Sequence, residues 1–129
     1  MKIVVVVARI LLGLIFVVFG LNGFFFFFPP PPTLPPLMIE FNHAALASHF
    51  TWLPMTVQVV AGLMLLANRY VPLALVLLAA VLANILMVHI TMFPIGIPPA
   101  IVATILWFIV AWPLRAHFAP LFAQKVDAT

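Results

Sequence analysis

Between Ile10 and Phe28 the only strongly polar side chain is Asn22, and three further apolar runs follow: Trp52 to Ala67, Val71 to Phe93 and Pro98 to Leu114. A helix needs about 20 mostly apolar residues to cross the hydrocarbon core of a bilayer. The second run is shorter than that, and Thr51 and Asn68 extend it. No water-soluble core uses four such runs in one short chain. Composition agrees: 67% of the 129 residues are hydrophobic and 5% are charged, against roughly 45–50% and 25% in soluble domains. The expected fold is an all-α integral membrane four-helix bundle in a single domain. Its spans are read at 8–28, 51–68, 71–93 and 98–116, with a connection at 29–50 and a tail at 117–129. The first run is read as a retained span, because it is long and no small-residue cleavage pattern follows it.

The connections set the topology. "ANRYVP" is too short for anything but antiparallel neighbours; Asn68 suits the end of the second helix and Pro72 the opening turn of the third. "FPIGIPP" joins the third and fourth spans in the same way. Lys2 and Arg9 precede span one, Arg69 separates spans two and three, and Arg115 and Lys125 follow span four. With four spans, all five basic residues fall on one side. The positive-inside rule then makes both termini cytoplasmic and the long first connection exoplasmic. The basic residues form no cluster, so the calculated pI of about 10.3 carries no nucleic-acid signal.

That first connection opens on "FFFFFPPPP". The phenylalanines Phe24 to Phe28 end the first span at the outer interface. The prolines cannot continue a helix and carry the chain onward in an extended polyproline II form. "PLMIEFNHAALASHF" reads as a short amphipathic segment lying on the outer surface.

Polar groups inside a membrane are costly and mark candidate sites. Here they are Asn22, Gln58, Asn84, His89, Thr91 and Thr104. Gln58 shares a helical face with Pro54, Ala61 and Gly62; Asn84 with Ala80 and Thr91; Thr104 with Ala100, Trp107 and Ala111. Small residues allow close helix approach and amides bond across it, so Gln58, Asn84 and Thr104 are expected to face inward. They serve either as interhelical hydrogen bonds or as the lining of a small pocket in the outer half. His89 falls on the face of Leu78, Leu82, Ile85 and Leu86, which reads as lipid-facing. Asn22 points away from the Gly13 and Gly20 stripe. The candidate ligand-binding set is therefore Asn22, Gln58, Asn84, His89 and Thr104. Gly13, Gly20, Phe24 and Phe28 are candidates for a partner contact. Arg9 snorkels at the inner boundary. No catalytic residue is assigned: there is no cysteine, and the only acids are Glu40 and Asp127, outside the spans. No second histidine, cysteine or carboxylate falls at ligand spacing from His89, so no metal site is expected.

"ARILLGLIFVVFGLNGF", "VVAGLMLLANRYVPLALVLLA" and "NILMVHI", in that order and followed by "AWPLRAHFAPLF", resemble the DoxX family of small bacterial membrane proteins. The positions matching its recurring residues are Arg9, Gly13, Gly20, Asn22, Gly23, Gly62, Arg69, Pro72, Asn84 and His89. The resemblance implies a four-helix membrane bundle. The relatives that gave the family its name are associated with a thiosulfate:quinone oxidoreductase. Gln58 stands where such proteins usually carry an acidic residue, and the phenylalanine–proline run is unusual among them. Three functional readings follow. The first is an accessory subunit of a larger membrane complex, of redox type, contacting other membrane subunits, lipid or a second copy. The second is a stand-alone protein binding a quinone or lipid head group. The third is a small transporter, which the lack of charge within the spans disfavours.

Overall fold

The computed structural model describes residues 1–128, and among these every regular element is helical. The helices are α1 (Lys2–Phe25), α2 (Pro36–Ala47), α3 (Trp52–Leu66), α4 (Val71–Met92), α5 (Pro98–Ala111) and the short α6 (Arg115–Phe118). Three-residue 3-10 turns at Pro94–Gly96 and Trp112–Leu114 flank α5, and a four-residue one, Ala119–Phe122, follows α6.

Helix ends follow local chemistry. α1 stops at Phe25 because Phe26 turns left-handed at φ 52°, its N–H bonding the Asn22 carbonyl at 2.9 Å. The Asn22 side chain then accepts the Phe28 N–H at 2.9 Å, satisfying a donor just past the helix end. The chain folds back so that the Phe28 ring lies 5.5 Å from Phe19. The aromatic run is thus a helix stop with a reversal, and α1 ends three residues short of the expected boundary at 28. At the other end of α3, Asn68 adopts the left-handed conformation at φ 52°, and the Arg69 N–H reaches the Met64 carbonyl at 3.0 Å. Pro72 lies in the first turn of α4, where no intrahelical N–H is needed.

α1 packs most extensively on α3 and also on α5; α4 packs on α3 and α5. Glycine makes the α1–α3 seam close. A Cβ on Gly13 would come within 2.9 Å of the Leu66 side chain and 3.0 Å of the Gly62 carbonyl, and one on Gly20 within 3.0 Å of the Met55 carbonyl. Gly13 and Gly20 are therefore buried inside the chain, which corrects their expected place in a partner contact. With no side chain, these positions bring two backbones together and gain dispersion contact with a neighbour in the same chain.

Three stretches are long and apolar enough to cross a membrane: Lys2–Phe25, Val71–Met92 and Pro98–Phe122. The expected second span is different in kind. α3 has 15 residues, about 22 Å at ~1.5 Å per residue, short of the roughly 30 Å hydrocarbon core. It reaches spanning length only together with α2, from which it is bent by 84°. α2 itself buries only Ala45.

Near the chain termini the interior is lined by leucine. Leu12, Leu65, Leu75 and Leu78 are fully buried. Arg9 donates from Nη1 to the Leu65 carbonyl, a cation on the C-terminal turn of α3, where the helix dipole favours positive charge. Trp107 Nε1 donates to the Leu75 carbonyl at 2.8 Å, tying α5 to α4.

Candidate functional site

Toward the opposite end a cavity of about 400 Å³ lies between the α1–α3 pair, still close at Gly20, and α4 with the start of α5. Its walls come from α1 (Phe16, Phe19, Asn22, Gly23), α3 (Met55, Gln58), α4 (Leu82, Ile85, His89) and the start of α5 with its preceding turn (Gly96, Ala100, Ala103). The space exists because Gly96, Ala100 and Ala103 put almost no side chain on the α5 wall.

Three polar side chains meet there. Gln58 is 4% exposed, and its amide nitrogen lies 3.6 Å from the Met55 sulfur. A thioether is a weak acceptor, so this amide is poorly satisfied for its depth. Among the described residues no fully buried polar side-chain atom lacks a partner, which means the rest of the Gln58 amide opens onto the cavity. Asn22 contributes from the last turn of α1, with its oxygen already engaged by Phe28. His89 contributes from the last turn of α4, its Nδ1 2.8 Å from the Ile85 carbonyl and its ring stacked on Phe93 at 6.2 Å.

The α4 faces correct the sequence reading. Leu78 and Leu82 are buried, and their face, with Ile85 and His89, points inward. Asn84, on the face expected to be interior, is exposed, and its amide donates to the Ala80 carbonyl one turn back at 2.9 Å. Thr91 does the same to Met87 and Thr104 to Ala100, each at 2.7 Å. A short polar side chain that bonds its own i−4 carbonyl needs no neighbour, so polarity does not mark the inner face. Thr104 is half-buried beside the α5 core but does not line the cavity. Of the five candidate ligand residues, Asn22, Gln58 and His89 converge, and Asn84 and Thr104 do not.

Sequence reasoning passed over Phe16 and Met55 and set Leu82 and Ile85 on a lipid-facing side, although all four belong to the apolar wall. Only their spacing from Asn22, Gln58 and His89 signals them. Of the candidate partner residues that remain at the surface, Phe24 is half-buried and Phe28 exposed. A second depression of about 500 Å³ adjoins the first at Gly23 and lies among Phe24, Phe26, Leu46, His49, Thr51 and Trp52.

A family model described as DoxX matches residues 4–90. No curated protein and no solved structure matches the chain. The match covers α1 to the end of the His89 turn, so it contains all three converging polar residues. It stops before α5, although the resemblance read in the sequence ran on to the closing segment. The chain belongs to the DoxX family and is a multi-pass membrane protein with apolar helices.

Proposed function

We propose that this protein binds the head group of a membrane quinone or lipid in the cavity shared by Asn22, Gln58 and His89. The observation that carries the reading is Gln58: a deeply buried amide with a sulfur as its protein partner, opening onto a cavity of about 400 Å³. An amide left without a good partner costs about 1–3 kcal/mol, and an occupant with its own oxygens offsets that cost. The size lies within the ~300–1,000 Å³ of small-molecule sites. Neutral donors and acceptors set into walls of Phe16, Leu82, Ile85 and Ala103 suit an uncharged polar head with an apolar body.

The same reading takes α1, α3, α4 and α5 as one four-helix bundle in a bacterial inner membrane, with both termini cytoplasmic. The closed ring of helix contacts and the placement of Lys2, Arg9, Arg69, Arg115 and Lys125 support it. The cavity then lies in the outer half. Because the chain has no cysteine, a cysteine introduced at Ser48 or at Ala123 is the sole thiol. An impermeant maleimide should label the first in intact spheroplasts and the second only after lysis; the reverse pattern overturns the orientation.

A second reading, an accessory subunit docked to other membrane polypeptides, is favoured by the aromatic surface of Phe25, Phe26, Phe27 and Phe28, all exposed, and by the sparsely packed α2. Native mass spectrometry from the cell's own membrane in mild detergent separates the two. The cavity reading expects a discrete small-molecule adduct on the 14.2 kDa chain, lost in Ala103→Leu, which fills the space. Added polypeptide mass with no adduct would establish the subunit reading instead.

A further inference from the structure

We propose that the head group in this cavity is uncharged and carries a hydroxyl that donates its hydrogen to Nε2 of His89. This rests on the cavity reading above and narrows it to one ligand chemistry, met by a quinol or by a long-chain alcohol.

The argument begins at the ring's other nitrogen. His89 Nδ1 lies 2.8 Å from the Ile85 carbonyl oxygen. A carbonyl oxygen only accepts, so the hydrogen of the neutral imidazole sits on Nδ1, and Nε2 carries the lone pair. The ring is held in place. It stacks on Phe93, and Gly96 leaves room for both: a Cβ there would stand 2.4 Å from Phe93 Cε2 and 3.2 Å from His89 Cδ2. Among the described residues no protein group donates to Nε2. Of the two other polar side chains of the cavity, Gln58 has its amide nitrogen at the Met55 sulfur, and Asn22 has its oxygen on the Phe28 N–H.

The far side has the opposite character. With its oxygen engaged, Asn22 keeps its amide N–H groups to offer. The cavity thus presents a fixed acceptor at His89 and donors at Asn22, which match a hydroxyl and a second oxygen on one small head. A phosphate head finds no cation among the lining residues. Arg9 is engaged with the Leu65 carbonyl near the chain termini, and Arg69 lies in the α3–α4 connection at that same end. A quinone with carbonyls only leaves Nε2 facing an acceptor.

The test is calorimetric titration of the full chain in phosphatidylcholine nanodiscs with three probes: a decyl-benzoquinone, the same compound reduced to its quinol, and decanol. The quinol is expected to bind about tenfold tighter than the quinone, the ratio that one well-placed hydrogen bond supports. His89→Phe should bring that ratio to about one, and His89→Gln, which restores an acceptor oxygen, should recover part of it. Decanol binding that also depends on His89 would show that a single hydroxyl suffices; no decanol binding would make the second oxygen necessary and the ligand a quinol. Quinone binding as tight as quinol, or a preference unchanged in His89→Phe, would overturn the hydroxyl assignment while leaving the cavity reading in place. Failure of all three probes to bind would overturn both.

Discussion

Near the chain termini α1 and α3 meet backbone to backbone at Gly13 and Gly62, with Leu12, Leu65, Leu75 and Leu78 fully buried in the centre. At the other end α1 and α3 stay close at Gly20, and a cavity opens between them and α4 and the start of α5, lined by Asn22, Gln58 and His89. The polar groups differ in the same sense. Near the termini, Arg9 and Trp107 each donate to a carbonyl of another helix. At the cavity, Gln58 has a sulfur and His89 its own helix. One half spends its polar groups on holding helices together, and the other keeps them available. A binding region with few bonds between helices carries little of the fold's stability, and a rigid opposite half lets it exist.

If that division is right, the largest effect comes from disturbing the seam. A Cβ on Gly62 would meet the Gly13 carbonyl at 2.9 Å and the Val17 nitrogen at 3.0 Å, both backbone atoms that cannot swing aside. Gly62→Val should therefore destabilise by about 3 kcal/mol, the upper end of what overpacking costs, measured by reversible unfolding in mixed detergent micelles. A loss below about 1 kcal/mol would mean the seam is looser than its geometry. Trp107→Phe should cost less, about 0.6 kcal/mol for one interhelical bond in a membrane protein, in the same assay. Gln58→Leu tests the other half and carries the opposite expectation: stability without ligand unchanged or slightly raised, since an ill-satisfied amide is removed, and the bound adduct lost from the native mass spectrum. A clear drop in stability would make Gln58 a structural bond. Asn84→Leu should change neither quantity, because the side chain is exposed and bonded to its own helix; any loss of adduct would return Asn84 to the site.

These contrasts were unevenly legible in the chain. The small-residue faces of α3 and α5 read correctly, because Ala61, Gly62, Ala100 and Ala111 mark where a helix can be approached. α4 offered no such mark on its inner face, which is leucine like the lipid-facing side of any span. Its polar residues pointed the reading the wrong way, since Asn84 and Thr91 answer their own need one turn back. Gly13 and Gly20 advertised a close contact without saying whether the neighbour lay within the chain. Gln58 and Asn22 were visible as costly groups, but their meeting with His89 was not.

The sequence by itself determined the solvent, the helices and the family, because these depend on the length of apolar runs, on turn residues and on local order along the chain. It also marked the stop of α3 at Asn68, because a cap is made from neighbours a few positions away, whereas the stop of α1 at Phe26 came three residues before the boundary read at 28. Only the tertiary structure decided which face of α4 is inside, that α2 is bent by 84° from the short α3, and that three polar residues from three helices share one cavity. In a membrane the inner and outer faces of a helix are equally apolar, so hydrophobic patterning carries no inside–outside signal. The faces are chosen by packing between helices distant in sequence.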